Sequence, residues 1–189
     1  PCCAGKKLSV TNSLAALYPE IADQWHPAGN GDLTPDKVVA GSHKKTWWIC
    51  PEGPDHEWEA VISSRAINGN GCPSCHGLKV SVTNSLATLH PDVAAQWYTT
   101  RNGDLTPEQV VAGSEKKAWW ICPEAPDHEW EASIAHRQKG VGCPHCAGKK
   151  TSVTNSLASR NPKKAAQWHT TRNGDLTPDK VVAGSHKKT

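Results

Sequence analysis

Trp47-Trp48-Ile49-Cys50-Pro51-Glu52-Gly53-Pro54-Asp55-His56, followed after a gap of 15 residues by Cys72-Pro73-Ser74-Cys75, is the stretch on which the fold turns. The pattern returns as Trp119-Trp120-Ile121-Cys122-Pro123, His128 and, after 14 residues, Cys143-Pro144-His145-Cys146. Two cysteines separated by two residues make a tight knuckle whose thiolates converge on one ion at about 2.3 Å. A disulfide between the same two residues would be strained, because bridged cysteines need a specific separation and torsion. Cys50 and Cys122 would each also lack a partner within their own copy. One tetrahedral Cys3His zinc set per copy removes both difficulties. The candidate ligands are therefore Cys50, His56, Cys72 and Cys75 in the first copy, and Cys122, His128, Cys143 and Cys146 in the second.

Outward from these motifs the whole chain repeats. Ser13-Leu14-Ala15 recurs at Ser85 and Ser156, Gln24-Trp25 at Gln96 and Gln167, and Asn30-Gly31-Asp32-Leu33-Thr34-Pro35 at Asn102 and Asn173. Self-similarity at such a period marks tandem supersecondary units. Two copies are complete, 13–77 and 85–148. Residues 156–189 read as the N-terminal half of a third, and residues 1–5 as the tail of a preceding one. In that tail Cys3 aligns with the last ligand of a site, while Cys2 takes the spacer position held by Ser74 and His145. The 189-residue chain also lacks an initiating Met. We therefore expect a segment of a longer protein with further copies on both sides, joined by short connections such as 78–84 into a semi-rigid string.

Within a copy, Ser13 is placed to cap a short helix and Pro19 to open a second. Leu14, Leu17, Ile21 and Trp25 share one helical stripe, and Thr34-Pro35-Asp36 repeats the cap-then-proline signature. After Gly41 the period changes. Thr46 to Cys50 reads as a strand, and His56, Trp58, Ala60 and Ile62 alternate with polar neighbours as on a half-buried partner strand. The expected unit is a small α+β module with short N-terminal helices and a zinc-bound β-hairpin. About 65 residues bury a limited core, so a metal staple is physically reasonable.

Taken together, Ser-Leu-Ala, Gln-Trp-His, Asn-Gly-Asp-Leu-Thr-Pro, Gly-Ser-x-Lys-Lys-x-Trp-Trp-x-Cys, His-Glu-Trp-Glu-Ala and Gly-Cys-Pro-x-Cys-x-Gly resemble the treble-clef-like zinc-ribbon repeat domain of bacterial and viral proteins. The resemblance covers essentially the whole chain. It implies a Cys-His-Cys-Cys zinc module, often in tandem and sometimes joined to endonuclease-like domains. The chain departs from that pattern by two extra residues between the first Cys and the His.

Composition bounds the function. No run approaches 18 apolar residues, which excludes a membrane helix, and no leader is visible, so a cytoplasmic location is expected. Catalytic zinc normally keeps an open position, whereas four protein ligands close the site, so no enzyme and no small-molecule substrate are expected. Lys44, Lys45, Trp47 and Arg65, with their equivalents Lys116, Lys117, Trp119 and Arg137, are the candidate nucleic-acid contacts: cations neutralise phosphates and an exposed indole stacks on a base. Charge argues the other way. Residues 13–77 carry four Lys/Arg against eight Asp/Glu, and residues 85–148 five against eight. Two functions follow as expectations: a zinc array that binds nucleic acid, DNA first, and positions an effector domain, or a structural or protein-interaction array acting as scaffold, spacer or self-associating filament.

Overall fold

The computed structural model describes residues 7–185. Cys2, Cys3 and the expected tail 1–5 lie outside the described residues. The chain divides into two compact units, Pro1–Ser85 and Leu86–Thr189.

The first unit opens with α1 (Leu14–Leu17), where the Ser13 hydroxyl accepts the Ala16 N–H at 3.2 Å, and α2 (Pro19–Ala22). Tyr18, at φ −138° and ψ 65°, separates them. A residue before proline is sterically pushed out of the helical region, which divides the expected stripe at this point. Leu14 and Trp25 are buried, but Leu17 turns outward and is 52% exposed. A 3₁₀ turn at Pro35–Lys37 leads to β1 (Lys45–Ile49), which pairs antiparallel with β2 (Glu57–Val61), Trp48 lying opposite Trp58. The chain around Trp25 runs alongside β1: His26 N–H donates to the Trp47 carbonyl at 3.1 Å, and Ile49 N–H to that of Gln24 at 2.8 Å.

Strand period 2 puts Trp48 inward and Trp47 outward. Trp48 is fully buried, and Trp25 meets it edge-on at 5.2 Å. Both of these indole N–H groups are satisfied, Trp25 by the Leu33 carbonyl and Trp48 by that of Ala60. The core of this unit is Leu14, Trp25, Val38, Ala40, Trp48, Trp58, Ile62, Ala66 and Cys72. At Val61 the chain leaves the strand and turns into α3 (Ile62–Ala66). The alternation that placed Ile62 on β2 holds for its burial, but its backbone is already helical.

The second unit repeats this plan. It contains α4 (Leu86–Leu89), α5 (Pro91–Ala94), an additional α6 (Thr99–Asn102), a 3₁₀ turn at Pro107–Gln109, β3 (Lys117–Cys122), β4 (Ala125–Ser133) and α7 (Ile134–Gln138). Its hairpin reaches further than the first, because Cys122 pairs with Ala125 across a register shift. The sequence supplies the reason: Ala125 stands where the first copy has Gly53. A side chain at Gly53 would lie 2.6 Å from the His56 ring, so the first turn requires a bare backbone there. The unit ends with the third copy's α8 (Leu157–Arg160), α9 (Pro162–Ala165) and a 3₁₀ turn at Pro178–Lys180. Among the described residues no helix is long and apolar enough to cross a membrane.

Candidate metal centre

Each set of four ligands is delivered by two short elements. Cys50 follows β1 and His56 precedes β2; the Cys50 N–H donates to the His56 carbonyl at 3.0 Å, and the His56 N–H to that of Gly53 at 3.2 Å, closing the turn between them. The second pair sits in a knuckle. His76, Gly77 and Leu78 N–H groups fold back onto the carbonyls of Cys72, Ser74 and Pro73, and Gly77 takes φ +67° to end it. A left-handed backbone is cheap only for glycine, and Gly148 holds the same conformation in the second copy.

The four ligand atoms of each set lie within 4.8 Å of one another. Tetrahedral zinc with bonds of about 2.3 Å to sulfur and 2.0 Å to nitrogen places sulfurs about 3.8 Å apart and a sulfur and nitrogen about 3.5 Å apart. In the first copy Cys50 Sγ and Cys75 Sγ are 3.7 Å apart, and His56 Nδ1 lies 3.7 and 3.5 Å from the sulfurs of Cys72 and Cys75. In the second, Cys122 Sγ and Cys146 Sγ are 3.6 Å apart, and His128 Nδ1 lies 3.7 and 3.4 Å from Cys143 and Cys146. A disulfide would bring two sulfurs to about 2.05 Å; these cysteines are free. These three separations in each copy match edges of a ZnS3N tetrahedron, and the remaining pairs lie within 4.8 Å, so the residues present fit structural zinc, one ion per complete copy.

The thiols carry the same message. Desolvation, and then the neighbouring sulfurs of Cys50 and Cys72, push Cys75 up to about 12; Cys146 rises to about 12 for the same reasons, with Cys122 and Cys143 as its neighbours. Three thiolates this close repel one another, and a dication at their centre removes the conflict.

The imidazoles are oriented from outside. His56 Nε2 lies 2.8 Å from Thr83 Oγ1 and 3.1 Å from Ser81 Oγ, and His128 Nε2 lies 3.0 Å from Thr154 Oγ1. Ligand histidines commonly donate their remaining N–H to such a partner, which fixes tautomer and ring plane. The Thr154 hydroxyl donates a hydrogen bond to Asp127 Oδ1 at 2.9 Å, and its backbone N–H donates to Asp127 Oδ2 at 2.9 Å. That backbone bond, outweighing partial desolvation, brings the Asp127 carboxyl down to about 2. Asn84 binds the knuckle carbonyl of Ser74 at 2.8 Å, and Asn155 that of His145 at 2.8 Å. His145, the spacer in the second knuckle, stacks on His128 with ring centres 5.1 Å apart.

None of these outer groups follows from ligand spacing, yet a signal was present: Ser-Val-Thr-Asn recurs unchanged at 9–12, 81–84 and 152–155. The stretch that reads as a connection is therefore part of the metal centre before it.

The nucleic-acid candidates separate. Lys44 and Lys116 are exposed. Lys45 and Lys117 are also exposed but face Glu59 and Glu131 at 3.8 and 3.6 Å. Trp47 is 42% exposed, whereas Trp119 is half-buried beneath Arg101, whose guanidinium carbon lies 4.1 Å from the ring centre. Arg65 and Arg137 require a correction. They sit on α3 and α7, which turn them inward, leaving them 5% and 4% exposed, so neither guanidinium reaches a phosphate.

A family profile described as a probable treble clef zinc finger domain matches residues 21–78 and 93–149, one match in each copy. No curated protein matches the chain.

Proposed function

The chain belongs to the treble clef zinc finger family, its two matched regions covering more than half its length, and from that premise we propose that it is a non-catalytic array of zinc modules that binds nucleic acid, DNA first, by stacking bases on an exposed indole. In a longer parent chain the array would position an effector domain on its target. The observation that carries this reading is Trp47: it projects from the outer face of β1, 42% exposed, beside the exposed Lys44 and Lys45. An indole in that position serves as a stacking platform, and such contacts contribute about 1–3 kcal/mol per base. A non-catalytic role is supported by four protein ligands closing each coordination sphere. The unbridged thiolates suit a reducing compartment, and the cytoplasm is our proposed location.

Of the six candidate cations, phosphate neutralisation is left to the exposed Lys44 and Lys116, because Arg65 and Arg137 are buried and Lys45 and Lys117 are paired with glutamates. The salt dependence of binding should therefore be shallow. The test is fluorescence anisotropy with random-sequence single- and double-stranded oligonucleotides across a salt series. Binding at low salt that weakens gently as salt rises, and that falls in Trp47→Ala, supports the proposal. Absence of binding at low salt would overturn it and leave the scaffold reading, which the Lys45–Glu59 and Lys117–Glu131 pairs and the acidic balance of both copies favour.

A further inference from the structure

Zinc held by three thiolates and a neutral imidazole carries a net charge of −1, and each copy buries an arginine that hydrogen-bonds the carbonyl two residues before a ligand cysteine, Asn70 before Cys72 and Val141 before Cys143, and that makes no ion pair with a carboxylate among the described residues. Arg65 is buried between two indoles, its guanidinium carbon 5.2 Å from the Trp48 ring centre and 5.0 Å from that of Trp58. Arg137 lies 5.1 Å from the ring centres of both Trp120 and Trp130. Their hydrogen bonds go to neutral acceptors: Arg65 donates to the Asn70 carbonyl and Gln24 Oε1, Arg137 to the Val141 carbonyl and, at 2.6 Å, to Gln96 Oε1. Both Nε–H groups are buried without a partner among the described residues. The ion pairs found among those residues involve other side chains. Burial lowers the pKa of both guanidiniums, and the charges opposing it are the cysteine ligands, Cys72 then Cys50 in one copy, Cys143 then Cys122 in the other, with Asp92 a smaller contributor.

A buried cation with no counter-charge is strongly destabilising, whereas one that balances a buried anion is tolerated. Cation–π contact with two indoles helps, but the arrangement is complete only when the thiolates are ionised around a metal. We propose that Arg65 and Arg137 are counter-charges built into the two zinc centres, each offsetting the net negative charge of the tris-thiolate site beside it. They are positioning residues that act through the ligands. The placement also explains why a module that is acidic on its surface keeps an arginine in its core, where a long apolar side chain would fill the same slot.

The inference rests on the zinc centre and is independent of what the array binds. The test is competitive zinc titration of the full chain against a chromophoric chelator, comparing Arg65→Gln, which keeps hydrogen bonding but not charge, with Arg65→Lys, which keeps charge but not the planar fork. The second site of the same chain is the internal reference. Arg65→Gln should weaken the first site by about tenfold or more, equivalent to at least 1.4 kcal/mol. Arg65→Lys should weaken it less, and the second site should be unmoved. Near-UV circular dichroism of the tryptophans at saturating zinc reports folding; a Gln variant that fails to fold where the Lys variant folds also supports the charge. The proposal is overturned if Gln binds as tightly as the parent, if Lys falls as far as Gln, or if both fail to fold alike. A parent chain that binds no zinc would overturn the metal centre itself.

Discussion

At the scale of single residues, the two copies perform an experiment on each other. His56 has two hydroxyls at its outer nitrogen, Ser81 and Thr83, whereas His128 has Thr154, itself backed by Asp127. Losing an outer-shell partner typically costs about 10–100-fold in metal affinity. Thr154→Val should therefore approach that range at the second site, while Thr83→Val should cost less at the first, because Ser81 can still accept the imidazole N–H. Zinc competition on the two single variants checks the ranking, and equal losses would contradict it. A ligand change is harsher. His56→Ala should leave the chain binding one zinc instead of two, measured by elemental analysis after buffer exchange.

Among the elements, the adjacent tryptophans of β1 show how period 2 divides labour. Trp48 is fully buried, so Trp48→Ala should cost about 3–5 kcal/mol of stability. Trp47→Ala, on the wet face, should stay within about 1 kcal/mol, and its effect should appear in oligonucleotide binding. Trp119→Ala should weaken that binding less, because Arg101 already covers the ring and is held by Glu129 at 3.4 Å. Denaturant melts of zinc-loaded protein, with anisotropy on the same samples, check both. The strands and the ligand knuckles were legible because their signals are local: alternation over five residues and cysteines three positions apart. The turn into α3 and α7 was not. Ile62-Ser63-Ser64-Arg65-Ala66 is too short to show a helical period, and that one turn decides whether Arg65 meets solvent or the core. The Ser-Val-Thr-Asn segment was visible as a repeat, but its contact with the preceding imidazole depends on tertiary folding that spacing does not encode.

Over the whole molecule, stability should follow the metal. Each unit has a modest core assembled around tryptophans, and structural zinc couples to folding with an apparent free energy of order 10 kcal/mol. Chelation at neutral pH should therefore abolish the tryptophan near-UV signal of both complete hairpins. The pH dependence has a definite sign. Without metal, Cys75 and Cys146 are raised to about 12 and hold their protons at neutral pH, so zinc must displace them. The metal-bound fold thus carries fewer protons than the metal-free chain, and linkage makes its stability rise with pH and fall as the solution is acidified. Thermal melts at fixed total zinc should show a midpoint that drops steadily from neutral pH towards pH about 5, as protons compete with the metal for the thiols. A midpoint unchanged over that interval would mean that the four ligands of each copy do not release protons to a metal, and the zinc-coupled account of this fold would fail.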